Sequence, residues 1–80
     1  MEDYYTTTNL FVSAYLLSRG MELVETKKIG SMTNFMFEDA KASQAMSLDY
    51  YNGGIIEARK FVEAYVSLRK MVKNRRQEDN

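Results

Sequence analysis

Cysteine, histidine, proline and tryptophan are all absent from the 80 residues of this chain. Without cysteine there is no disulfide framework, no zinc-finger ligand set and no thiol nucleophile. Without histidine the commonest general base and the commonest metal ligand are both missing. No apolar run approaches the roughly 18 residues that a membrane span needs, so no membrane partner is expected. The opening Met1-Glu2-Asp3 is acidic where a secretory signal would be basic and then apolar, and a soluble, cytoplasmic protein is the expectation. Carboxylates, Tyr, Lys and Ser/Thr are what remains for chemistry. Glu2-Asp3 and Glu38-Asp39 are adjacent pairs, and sequence neighbours diverge on a strand or a helix. Carboxylates alone would hold a magnesium-like ion weakly, and no ligand spacing supports such a site. The reading is therefore not an enzyme, with no cofactor and no metal.

Hydrophobic residues make up 45% of the chain and charged residues 28%, an ordinary globular composition. Length allows a single domain over residues 1–80, with its core at about 4–72 and a frayed tail at 76–80. A chain of this size buries only roughly 60% of the surface it exposes when unfolded, so a partner subunit would add stability.

Periodicity places the elements. Tyr4-Tyr5-Thr6-Thr7-Thr8 is rich in β-formers and reads either as a short strand or as a lead-in whose Thr7 or Thr8 caps the next helix. Leu10, Phe11, Ala14 and Leu17 make a helical stripe that Val12, Tyr15 and Leu16 widen, and Gly20 stops that helix. Met21 to Lys28 alternates loosely, with Met21, Leu23 and Glu25 on one face. Gly30-Ser31 is a hairpin turn, and Thr33 to Glu38 returns with Phe35 and Phe37 facing the first helix. Asp39 caps a second helix running to about Tyr51, with a narrow stripe of Ala42, Ala45, Met46 and Tyr50. Asn52-Gly53-Gly54 ends it. Ile55-Ile56 reads as an edge strand or as the buried approach to a last helix. That helix spans about 58–75, its seam being Ala58, Phe61, Tyr65, Leu68 and Val72, broadened by Val62 and Met71. The order (β)αββα(β)α is α+β. Strands at both optional places would give a ferredoxin-like arrangement. The preferred reading is the smaller sheet, a β-hairpin packed with three helices.

Eleven basic and eleven acidic residues cancel, but they are segregated. Residues 1–57 carry four basic and eight acidic side chains, and residues 58–80 carry seven basic and three acidic. Along the last helix Val62, Val66, Arg69, Lys73 and Arg76 share one stripe, apolar at its start and cationic at its end, and Lys70 and Arg75 add charge beside it. Arg69, Lys70, Lys73, Arg75 and Arg76 are thus candidates for contact with nucleic-acid phosphate or with an acidic protein or nucleoprotein surface. The competing explanation is that cations near a helix C-terminus complement its dipole.

Tyr4-Tyr5 and Tyr50-Tyr51 are adjacent pairs, so one member of each is expected outside the core. Tyr4, Tyr50 and Tyr51, with Phe61, Tyr65, Leu68 and Val72, make up a second candidate surface, a protein–protein interface that includes a homodimer. Asn52-Gly53-Gly54 has the outline of a phosphate loop but lacks the Walker Lys and Ser/Thr, and helix termination explains its glycines.

The run Tyr5-Thr6-Thr7 leading to Leu10, the helix Ala14-Tyr15-Leu16-Leu17 closed by Gly20, and the strand Phe35-Met36-Phe37-Glu38-Asp39 occur in that order. Tyr51-Asn52-Gly53 and Ala58-Arg59-Lys60-Phe61 follow. Together they resemble a small domain-of-unknown-function family of bacterial and phage proteins with an aromatic-Thr-Thr opening motif. The likeness covers about residues 4–72. It implies no catalytic residues. It implies a phage or mobile-element accessory protein rather than a housekeeping enzyme. The residues themselves leave two roles open, contact with nucleic acid or a nucleoprotein through the basic last helix, or a protein–protein interaction factor such as a small phage inhibitor of a host or defence protein.

Overall fold

A computed structural model describes residues 3–78, with side chains as far as residue 73. Its elements are β1 (Tyr5–Thr7), α1 (Leu10–Ser18), β2 (Leu23–Ile29), β3 (Met32–Phe37), α2 (Ala40–Tyr51) and α3 (Ala58–Glu78). This is the expected α+β order, with the first optional strand present and the second replaced by an irregular link.

The sheet is larger than the two-stranded hairpin expected. β3 lies at its centre, antiparallel to both neighbours, in the order β1-β3-β2. Tyr5, Thr6 and Thr7 stand opposite Phe37, Met36 and Phe35. A hairpin alone would leave one edge of the phenylalanine strand without hydrogen-bond partners, and the short β1 covers it. β1 and β2 run parallel to each other on either side of β3, and α1 makes the crossover that connects them, as parallel strands of one sheet require. Residues 55 and 56 add no strand. Ile55 is 86% exposed, and its carbonyl accepts a hydrogen bond from Arg19 Nη1 at 3.1 Å. The ferredoxin-like arrangement is therefore not formed.

A bulge corrects the expected alternation in β2. Leu23 pairs with Phe37 and Glu25 with Met36, so one extra residue sits in β2 at that point. Beyond it Thr26, not Glu25, shares the inner face with Leu23, opposite Phe35. Gly30 turns the chain back with φ +63°, and Ile29 and Met32 close the hairpin as its last pair.

Phe35 and Phe37 project from the sheet into a core with Val12, Ala14 and Leu16 of α1 and Ala64 and Leu68 of α3. Five consecutive residues of α1, Val12 to Leu16, are buried, so this helix is enclosed on nearly every side. Its start departs from expectation. Neither Thr7 nor Thr8 caps it. Asn9 does, its Oδ1 accepting from the N–H groups of Phe11 and Val12 at 2.9 and 3.1 Å, while Thr7 Oγ1 accepts from the Asn9 N–H. Asp39 caps α2 as expected, accepting from the Ala42 N–H at 3.2 Å.

The buried stripe of α2 also shifts. Ser43 and Ser47 are buried and Ala45 is exposed. Serine is tolerated there because each hydroxyl donates to a backbone carbonyl, Ser43 to Glu38 and Ser47 to Gln44. In α3 the inward seam is Phe61, Ala64, Tyr65, Leu68 and Val72. Ala58, Val62 and Met71 are exposed, because one face of the helix meets α1 and the core and the rest meets solvent. Among the described residues no helix is long and apolar enough to cross a membrane.

Both α1 and α2 end in the same way. Gly20 N–H bonds the Leu17 carbonyl and Met21 N–H bonds that of Leu16; Gly53 N–H bonds Tyr50 and Gly54 N–H bonds Asp49. These are Schellman closures, and Gly20 and Gly53 supply the positive φ they need. Gly54 has a different reason to be glycine. A Cβ there would lie 2.5 Å from Asp49 Oδ2 and 2.9 Å from the Asp49 carbonyl oxygen, and closer still to the Tyr15 hydroxyl. Gly54→Ala is accordingly expected to destabilise the fold by about 1–3 kcal/mol, the usual range for overpacking, as read from urea unfolding midpoints. An unchanged midpoint would show that the α2–α3 link moves aside freely.

Candidate functional site

Three cations of α3 come together with the start of α1. Arg69, Lys70 and Lys73 are exposed, and with Leu10, Tyr65, Val66 and Val72 they line one open groove. Arg69 and Lys73 are one helical turn apart, about 6 Å along the axis, on the same side. Between Ala58 and Gln77 the single acidic residue is Glu63, so this flank carries little to offset them. Val62 and Val66, 55% and 43% exposed, continue the stripe toward the helix start. The side chains of Arg75 and Arg76 lie outside the described residues.

A residue beside this groove is invisible to sequence periodicity. Phe11 fits the apolar stripe of its helix, yet it is 51% exposed. Its ring stacks against Tyr65, with centroids 5.5 Å apart and planes inclined by 8°. Leu10, its neighbour about 100° away on the helix, packs against the core instead.

The residues proposed as a protein interface separate into three groups. Leu68 is fully buried and belongs to the domain's own core, so it offers nothing to a partner; Phe61, Tyr65 and Val72 are half-buried beside it. Tyr50 packs edgewise between Tyr15 and Tyr51 and is half-buried, whereas Tyr51 is exposed and its hydroxyl accepts from Asn9 Nδ2 at 3.3 Å. Tyr4 lines a different shallow depression with Asp3, Glu38, Asp39, Ala40 and Lys41. The tyrosine pairs do split, one member inward and one outward, but they do not join the cationic groove into one surface.

Asn52-Gly53-Gly54 does not present a phosphate cradle. The N–H groups of all three residues bond carbonyls of α2. Among the described residues no group of three His, Cys, Asp or Glu is placed to hold a metal ion.

Tyr15 is a perturbed titratable group. Its hydroxyl donates to Asp49 Oδ2 at 2.5 Å, and that bond, followed by burial and the negative charge of Asp49, raises its pKa above the ordinary tyrosine value. Arg19, whose guanidinium sits 5.8 Å from the ring centroid, opposes the shift. A folded-state pKa above the unfolded one means that this contribution to stability is intact below about pH 10 and is lost as the pH rises through the folded value. Between about pH 9 and pH 11 the unfolding midpoint of the native chain should thus fall more than that of Tyr15→Phe. Parallel curves would show that the pair carries no linkage.

No curated protein and no solved structure matches this chain. The family described as Domain of unknown function (DUF5659) matches it over residues 2–76, nearly its whole length, and the chain is a member of that family.

Proposed function

We propose that this chain is a non-enzymatic accessory binding protein, of phage or mobile-element type and acting in the cytoplasm, that contacts nucleic acid or a nucleoprotein through α3. The observation that carries the reading is the convergence of Arg69, Lys70 and Lys73 on one groove beside Tyr65 and Leu10. Cations that merely complement a helix dipole act within its last turn. α3 continues to Glu78, so Arg69, Lys70 and Lys73 lie before that turn, and the dipole gives them little to do. Phosphates would: each one neutralised releases condensed counterions, and the resulting affinity is insensitive to sequence and steeply dependent on salt. Arg75 and Arg76 extend the same charge along the chain.

A second reading, a protein-interaction factor such as a small inhibitor, is favoured by Val62 and Val66. Their exposed side chains precede Arg69 and Lys73 on the same flank, a pattern that suits an acidic amphipathic partner or a second copy of the chain.

Fluorescence anisotropy with labelled single-stranded and duplex oligonucleotides at about 50 and 200 mM salt separates the two readings. Micromolar or tighter binding that collapses at the higher salt is expected. Changing Arg69, Lys73 and Arg76 together to Glu should abolish it, and Lys41→Glu on α2 should leave it nearly intact. No binding at the lower salt would overturn the nucleic-acid reading and leave the acidic protein partner.

A further inference from the structure

We propose that the groove between α1 and α3 takes single-stranded nucleic acid, with Phe11 as the platform on which a base stacks. The proposal rests on the phosphate-contacting reading of α3 and adds what the bases touch. Phosphate contact requires only cations. The groove has more than cations: its lining includes Leu10, Tyr65, Val66 and Val72, and Phe11 stands against Tyr65 beside it. Successive bases on an apolar and aromatic surface, with the backbone tracked by Arg and Lys, is how single strands are held without sequence preference.

The geometry of Phe11 suits this role. Its near-parallel stack puts one ring face on Tyr65, so that ring covers one side only, and half the residue's surface meets solvent. The platform is also held in place. The Phe11 N–H is bonded to the Asn9 side chain, and Tyr65 is anchored in the half-buried seam of α3. The same cap decides where phosphates go. Because Asn9 already occupies the N–H groups of Phe11 and Val12, the first turn of α1 has little left for an anion, and the charge falls to Arg69, Lys70 and Lys73. A duplex hides its base faces within its own stack and has nothing to lay on a phenylalanine. A single strand does, in DNA or RNA alike.

The test compares labelled strands of about 15 nucleotides, thymidine DNA, uridine RNA and an abasic strand of equal charge, at about 50 mM salt. The native chain should prefer one or both base-bearing strands over the abasic one by about 5- to 150-fold, the range for one stacked base. Whichever of the two shows the larger preference identifies the polymer. Phe11→Ala should remove that preference while leaving the slope of affinity against salt unchanged, whereas Lys73→Gln should flatten the slope and keep the preference. Since the chain has no tryptophan, Phe11→Trp supplies a single reporter, and its emission should be quenched by the base-bearing strands and not by the abasic strand. It also serves as a folded aromatic variant should Phe11→Ala unfold. Equal affinity for base-bearing and abasic strands, with binding still lost on raising salt, would overturn the stacking platform and leave the cationic reading standing. Failure of every strand to bind would overturn both.

Discussion

A helix enclosed on nearly every side in an 80-residue chain has to find a partner for each polar group it carries inward. In α1 those groups are Ser13 and Tyr15. Ser13 bonds back to the Asn9 carbonyl within its own helix. Tyr15 cannot do so, because its hydroxyl lies at the far end of a long side chain, and it reaches Asp49 on α2 instead. That one bond ties the middle of α1 to the closing turn of α2. Around it, Arg19 lies over the Tyr15 ring and bonds Ile55, Tyr50 packs on the ring, and Gly54 passes too close to admit a side chain. The path from α2 into α3 follows from this arrangement, and with it the register in which α3 meets α1. Among the described residues no buried polar side-chain atom is left unsatisfied.

The position of α3 in turn sets the candidate site. Ala64 and Leu68 are held in the core, which fixes the rotation of the helix. Arg69 is adjacent to a fully buried residue and Lys73 lies one turn further, so both emerge on the flank nearest the start of α1. Phe11 and Leu10 approach from the other side. The groove is thus assembled from residues more than fifty positions apart in sequence: α1 brings Leu10 with Phe11 beside it, and α3 brings Tyr65 and the cations.

Much of the fold was legible in the residues. Gly20 and Asn52-Gly53 mark helix ends because only a positive φ closes a helix in this way, and Asp39 marks a start because its carboxylate can reach an N–H three residues on. Phe35 and Phe37 share a face because strand side chains alternate. Where tertiary contacts choose among local options, the pattern misled. Thr7, Thr8 and Asn9 all have capping side chains, and Asn9 wins because Thr6 and Thr7 are drawn into β1 against β3. In α2 the buried face passes through Ser43 and Ser47 rather than Ala45, since nearby carbonyls make a buried hydroxyl inexpensive.

The sequence by itself determined the class of the protein: an α+β chain without histidine or cysteine, whose last helix is heavily cationic. Those properties depend on residue type and on spacing within one element, which are local. Only the tertiary structure decided that β1 completes the sheet, that Ile55 stays outside it, and that Leu68 is core rather than interface. It also decided that Phe11, which belongs to an apolar stripe by spacing, stands half-exposed beside the cations. Each of these outcomes depends on which surface another element covers, and that is settled by packing between segments distant along the chain.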